Sequence, residues 1–99
     1  MNGDQGERRR AVLVRIEGRV QGVWFRGWTM REAISRGLAG WVRNRSDGSV
    51  EALFEGPESV VDAMLVACRS GPPSARVSNL TMRPADPPER PGFHGLGTL

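Results

Sequence analysis

A short glycine-containing segment, Gly18 to Val23, lies between a stretch typical of a β-strand and a stretch typical of an α-helix. At such a junction the backbone N–H groups of the loop and of the first helical turn converge, and the helix dipole favours negative charge there. Glycine also lets the backbone approach a ligand closely. The segment therefore predicts an oxyanion site of phosphate size. The residues that would surround the ligand are Arg19, Val20, Gln21, Gly22 and Val23.

Arg26 falls in the first turn of the following helix, where its guanidinium can fold back over the loop. A guanidinium gives an anion a permanently charged, bidentate contact, whereas lysine would give only a point charge. The 14 basic residues are all arginine, so an arginine chosen at random is more often a surface residue. The position of Arg26 beside the loop favours a role in ligand binding. A glycine loop before a helix remains a weak signal alone, because many such turns need glycine only for geometry.

The elements that must position these residues follow from the spacing of apolar side chains. Alternation predicts strands, and recurrence at three and four residues predicts helices. The predicted elements are a strand over Ala11 to Glu17, a helix over roughly Trp24 to Arg36, strands over Leu38 to Asn44 and Ser49 to Phe54, a helix opened by Gly56 and Pro57 and closed by Gly71 and Pro72, and a strand over Arg76 to Arg83. Arg45 to Gly48 form the turn of a hairpin, since Asp-Gly supplies the backbone freedom that a tight turn needs.

This order, strand, helix, strand, strand, helix, strand, predicts the α+β class. The expected fold is a ferredoxin-like α/β sandwich, with a mostly antiparallel sheet of four or five strands and two helices on one face. The last strand changes its alternation between Val77 and Leu80, which predicts a bulge or an irregular start. Residues 1–10 are interpreted as a flexible leader to a single domain over residues 11–99. Residues 84–99 are a proline- and glycine-rich tail with at most a short edge strand around Phe93.

Composition limits the alternatives. A chain of 99 residues with 38% hydrophobic and 25% charged residues is an ordinary single globular domain. The single cysteine, Cys68, cannot form an internal disulfide and lies on the apolar stripe of the second helix, so a buried thiol in a cytoplasmic protein is expected. The net charge of +3 and the scattered arginines allow affinity for anions but do not imply nucleic-acid specificity.

Two longer strings carry a family resemblance. Residues 16–26, IEGRVQGVWFR, resemble the first acylphosphatase signature. Residues 40–44, GWVRN, followed by Gly48, Val50 and Gly56, resemble the second. The resemblance runs from about Val12 to Met82 and includes the Gly-Pro-Pro stretch at residues 71–73. The tail departs from the family, but the departure is expected to leave the loop, Arg26 and Asn44 untouched.

The resemblance implies an enzyme that hydrolyses the carboxyl-phosphate bond of acyl phosphates to a carboxylate and inorganic phosphate. The loop amides and Arg26 would hold the substrate phosphate, and Asn44 would orient the attacking water. No cofactor and no metal ion are implied, and a cytoplasmic monomer without membrane or nucleic-acid partners is expected. The competing interpretation is a non-catalytic module of the same fold that binds anions or RNA.

Several residues have a second interpretation. Asn44 alone would be an ordinary turn residue before the hairpin, and only the second signature favours catalysis. Trp41 is expected in the core, although it could wall the site, while Trp24 and Trp28 could both touch the acyl group. His94, the only histidine, is expected to be a surface residue with no catalytic role.

Overall fold

The computed structural model describes residues 7–99 as an α+β sandwich. Its elements are β1 (Arg9–Arg19), α1 (Phe25–Ser35), β2 (Ala39–Asn44), β3 (Val50–Pro57), α2 (Glu58–Ser70), β4 (Arg76–Pro84) and β5 (Phe93–Gly95). The predicted order of strands and helices is confirmed, and most predicted bounds differ by one to three residues. The short strand expected around Phe93 is present as β5.

The five strands form one mixed sheet in the order β4-β1-β3-β2-β5. Three of the four neighbouring pairs are antiparallel, and only β5 runs parallel to its neighbour β2. Residues 40–42 of β2 pair with β5 on one side. The last residue of β2, Asn44, lies beyond β5 and pairs with Val50 of β3 on the other side. This pairing fixes the backbone of Asn44 at the end of a strand inside the sheet.

The core lies between the two helices and one face of the sheet. Alternate residues of β1, among them Val12, Val14 and Ile16, are buried there. Helix α2 contributes the predicted apolar stripe, which includes Met64 and Cys68. Burial raises the pKa of the Cys68 thiol to about 12, so it stays protonated and unreactive at neutral pH. The interpretation of Cys68 as a core residue is confirmed.

The predicted amino-terminal boundary is wrong for two residues. Strand β1 begins at Arg9, because its ladder with β3 continues through Arg9 and Arg10. The side chain of Arg9 binds Glu55 at 2.9 Å, and that of Arg10 binds Asp62 at 2.8 Å. The start of β1 is therefore held by ion pairs between charged side chains, which leave no apolar alternation in the sequence from which the strand could be predicted. Residues 1–6 of the predicted leader lie outside the described residues.

The irregularity expected in the β1–β4 pair is confirmed. The register shifts between Glu17 and Gly18, opposite Asn79 and Val77. Gly18 has a φ of 122°, and a Cβ at this position would lie 2.2 Å from the carbonyl oxygen of Arg76. Only glycine fits this close approach of two backbones. The shift interrupts the regular ladder at Gly18, where the predicted oxyanion loop begins, and β1 ends one residue later at Arg19.

Candidate active site

The loop between β1 and α1 leads directly into the first turn of α1. Val20 is buried and anchors the loop, while Gly22 takes the left-handed conformation with a φ of 74°. The first N–H groups of any α-helix have no acceptor within the helix. Within residues 7–99, no side chain caps the start of α1 and no acidic residue lies in its first turn. The local charge and the donors therefore favour an anion.

A cavity of about 220 Å³ opens at this loop. Its lining residues are Val20, Gln21, Gly22, Trp24, Phe25, Arg26, Gly27 and Asn44. Five of the seven predicted site residues thus meet around one space, although Asn44 comes from a different strand. The other two, Arg19 and Val23, lie apart from the lining: Arg19 pairs with Arg76 in the sheet, and Val23 packs against the core. The volume lies below the roughly 300–1,000 Å³ of sites for drug-sized ligands, so it suits a phosphate-sized group.

Arg26 is exposed, and its position is fixed by a neutral partner. Its Nη1 donates a hydrogen bond of 3.0 Å to the backbone carbonyl of Leu96. In the described part of the chain, no carboxylate lies within ion-pair distance of Arg26 (4.0 Å). The guanidinium therefore keeps its charge available for an anion in the cavity.

The carboxyl-terminal tail reaches both predicted catalytic residues. Besides the contact with Arg26, the backbone N–H of Leu99 donates to the carbonyl of Asn44 at 3.0 Å, and that of Leu96 donates to Val42 at 2.9 Å. The expectation that the tail leaves the site untouched is therefore wrong. Sequence reasoning missed Leu96 because a backbone carbonyl acts here, and every residue type has one.

Gln21 joins the oxyanion loop to the hairpin that follows Asn44. Its side-chain amide nitrogen donates to the carbonyls of Arg45 and Ser49, both at 2.8 Å. Because a carbonyl can only accept, these two partners fix which end of the amide carries the nitrogen. The hairpin thus uses both N–H groups of the Gln21 amide, so among the donors of this residue only the backbone N–H is left for an anion.

The first prediction concerns this connection. Gln21→Met keeps the length of the side chain but removes both hydrogen bonds, so the free energy of unfolding should fall by about 1–3 kcal/mol. Urea denaturation followed by circular dichroism measures the change. Asn79→Ala is the matched control, since the exposed Asn79 makes one 3.3 Å bond to Glu17 and should change stability by less than about 0.5 kcal/mol. Equal losses in the two variants would contradict the structural role of Gln21.

The hairpin turn is held by a carboxylate. Asp47 accepts hydrogen bonds from the backbone N–H and the hydroxyl of Ser49, at 2.9 and 2.6 Å, and from Arg15 at 2.8 Å. These bonds, those from Ser49 first, hold the pKa of Asp47 well below its ordinary value of 3.8. A depressed carboxyl pKa stabilises the fold above the unfolded pKa and stops doing so as the pH falls through the folded one. The turn is therefore fully stabilised at neutral pH.

Trp41 and His94 lie away from the cavity. Gly40 and Val42 face the core, so Trp41 between them projects from the opposite face of the sheet, where it lies under the guanidinium of Arg43 at 4.7 Å. The expectation that Trp41 packs in the core is wrong for this reason. His94 pairs with Trp41 across β2 and β5, and its Nε2 lies 2.8 Å from the carbonyl of Pro91. Both line a larger cavity of about 640 Å³ that lacks the glycine loop and the helix start.

No group of three histidine, cysteine, aspartate or glutamate side chains among residues 7–99 is arranged to hold a metal ion. No helix in the described range combines the length and the apolar character that crossing a bilayer requires.

Fold and site together define a small α+β sandwich with a cavity at the junction of its first strand and first helix. The acylphosphatase family model matches residues 12–95. An acylphosphatase of Rhodospirillum rubrum is 64% identical over 84 residues, which cover 85% of this chain and 92% of that protein.

Two solved structures give the same result. An acylphosphatase of Bacillus subtilis superimposes with a TM-score of 0.82 at 38% identity, over 87% of this chain and 97% of that one. An acylphosphatase from Coxiella burnetii gives 0.86 at 29% identity, over 97% and 100%. The chain belongs to the acylphosphatase family.

Proposed function

We propose that this protein hydrolyses the carboxyl-phosphate bond of acyl phosphates to a carboxylate and inorganic phosphate, without a metal ion. The observation that carries the proposal is the meeting of Arg26, Asn44 and the loop Val20 to Gly22 around one phosphate-sized cavity. Family membership supplies the reaction class, and the cavity supplies a place for the phosphate.

Substrate binding is assigned to the loop and Arg26. Backbone N–H groups of residues 19–23 and of the first turn of α1 would donate to the phosphate oxygens, and the Arg26 guanidinium would bind two of them. The bond from Arg26 to Leu96 uses one Nη1 donor and leaves the other N–H groups for the ligand. These donors are in place before the substrate binds, so they can stabilise the charge that develops in the transition state at little reorganisation cost.

Water activation is assigned to Asn44. In-line attack on phosphorus requires positioning and charge stabilisation more than a covalent nucleophile. The amide of Asn44 can accept a hydrogen bond from a water, and so orient it for attack, without titrating. The leaving carboxylate needs no strong general acid, and a phosphate oxygen would accept the proton of the water.

Purified protein should therefore hydrolyse benzoyl phosphate at a rate well above the spontaneous one, and a chelator such as EDTA should not change that rate. Release of phosphate or the loss of benzoyl phosphate absorbance measures it. Folded protein that shows no turnover, but binds oligonucleotides at micromolar concentration with a steep dependence on salt, would instead support the nucleic-acid module. A rate abolished by EDTA would refute metal independence.

A further prediction is a flat pH dependence. Arginine stays protonated and asparagine does not ionise, so kcat should change less than about twofold between about pH 5 and 7. Asp47 is ionised over the same range, since its pKa lies below 3.8, so its hydrogen bonds in the neighbouring hairpin persist. His94→Ala is the internal control and should leave both the rate and its pH profile unchanged. A large loss of rate, or a changed pH profile, in this variant would instead assign a catalytic role to His94.

The proposal includes a monomer in the cytoplasm. The lone thiol, Cys68, is buried and needs no oxidising compartment. Light scattering of the purified protein at micromolar concentration tests the monomer, and a fractionation of the source cells tests the location.

A further inference from the structure

Trp24, the residue just before α1, has an unusual backbone. Its φ of 66° and ψ of 24° put it in the left-handed helical region, and it is the one non-glycine residue among residues 7–99 with a positive φ. That conformation is unfavourable for a side chain with a Cβ and bulk, whereas glycine or asparagine adopts it readily. Strain of this kind persists where the surrounding structure imposes it, often at ligand sites.

The indole of Trp24 is held against the first turn of α1. A Cβ added to Gly27 would lie 2.2 Å from the indole Nε1, and its three nearest atoms would all belong to Trp24. The guanidinium carbon of Arg31 lies 5.2 Å from the ring centroid, within the range of a cation–π contact. The ring is therefore positioned by two residues of the helix and yet remains 56% exposed.

The exposed indole borders the cavity that contains Arg26 and Asn44. The structure has five exposed large apolar side chains in its described range, and the other four, Ile34, Val66, Met82 and Leu99, do not line this cavity. With the phosphate held by the loop and Arg26, the acyl part of a substrate extends toward the open side of the cavity, where Trp24 is exposed. Trp24 is the apolar surface that it meets there.

We propose that Trp24 forms the binding platform for the acyl group and makes the enzyme selective for acyl phosphates with a flat apolar acyl group, such as an aromatic ring. This inference rests on the proposed function, because it assumes that the phosphate lies at Arg26. Stacking of two aromatic rings, together with the apolar area that it buries, favours such a substrate by about tenfold over one with a methyl group.

The test compares benzoyl phosphate with acetyl phosphate in the wild type and in Trp24→Ala. The ratio of their kcat/KM values should fall about tenfold, mainly through the KM of benzoyl phosphate, while inhibition by inorganic phosphate changes less than about twofold. Trp24→Phe, which keeps a ring, should restore most of the ratio. Equal losses for the two substrates would leave the ratio unchanged, overturn the proposal and indicate a structural role. Unchanged kcat/KM values for both substrates would also overturn it. Hydrolysis of neither substrate by the wild type would refute the proposed function instead.

Gly27→Ala gives a second, independent test because alanine is favourable in a helix and the added methyl group displaces the indole. In the wild-type background it should lower the benzoyl-to-acetyl ratio severalfold. In the Trp24→Ala background the colliding atoms are gone, and the ratio should not change further. A similar fall in both backgrounds would overturn the proposal, since the methyl group would then act on the substrate and not on Trp24.

Discussion

Arg26→Ala is expected to lower kcat/KM for benzoyl phosphate by about a thousandfold and to weaken inhibition by inorganic phosphate at least tenfold. The variant loses a charge-assisted bidentate contact that strengthens as charge builds on the phosphate, so both binding and rate should suffer. Steady-state kinetics at several phosphate concentrations separate the two effects. No ion pair within residues 7–99 is broken by the change, since Arg26 contacts the neutral carbonyl of Leu96.

Two further variants sharpen this expectation. Arg26→Lys keeps the positive charge but loses the planar fork, so its activity should lie between those of the wild type and Arg26→Ala. Arg69→Ala removes an exposed arginine from the last turn of α2 and should change kcat/KM by less than about twofold. If Arg26→Ala behaved like Arg69→Ala, the phosphate would have to be bound elsewhere.

The strands and helices were predictable because their apolar spacing is strong. Val12, Val14 and Ile16 alternate in the sequence and are buried together on one face of β1. The start of the same strand was not predictable, since Arg9 and Arg10 extend the ladder by ion pairs, which leave no periodic apolar signal. The apolar character of Trp41 suggested a core position, but alternation along β2 predicts the opposite face, because its neighbours Gly40 and Val42 lie on the core side.

The candidate site was predicted less completely than the fold. The sequence places Arg26 and Asn44 on two elements, but the cavity that joins them depends on the pairing of both β1 and β2 with β3. Gln21 is an example of what the sequence does not predict. Its position in the loop predicts a ligand contact, but its side-chain amide donates to the hairpin. Direction of a side chain depends on partners that are distant in sequence.

The tail illustrates a second limit. Its prolines and glycines resist regular structure, and β5 is accordingly only three residues long. The segment from Leu96 to Leu99 nevertheless lies beside β2 through backbone hydrogen bonds to Val42 and Asn44. Because these contacts use main-chain atoms, composition predicts the irregular path but not its position next to Arg26.

The second large effect is expected for Asn44→Ala, which should lower kcat for benzoyl phosphate by about a hundredfold or more, as loss of one preorganised polar contact typically does. Inhibition by inorganic phosphate should change less than about threefold, because the loop and Arg26 still hold the anion. The backbone contacts of Asn44 with Val50 and Leu99 do not involve its side chain, so the variant should remain folded. Asn79→Ala, at an exposed position of β4, is the matched control and should keep full activity. Phosphate affinity that falls equally in Asn44→Ala and Arg26→Ala would show that both residues bind the phosphate, and the assignment of water positioning to Asn44 would then be wrong.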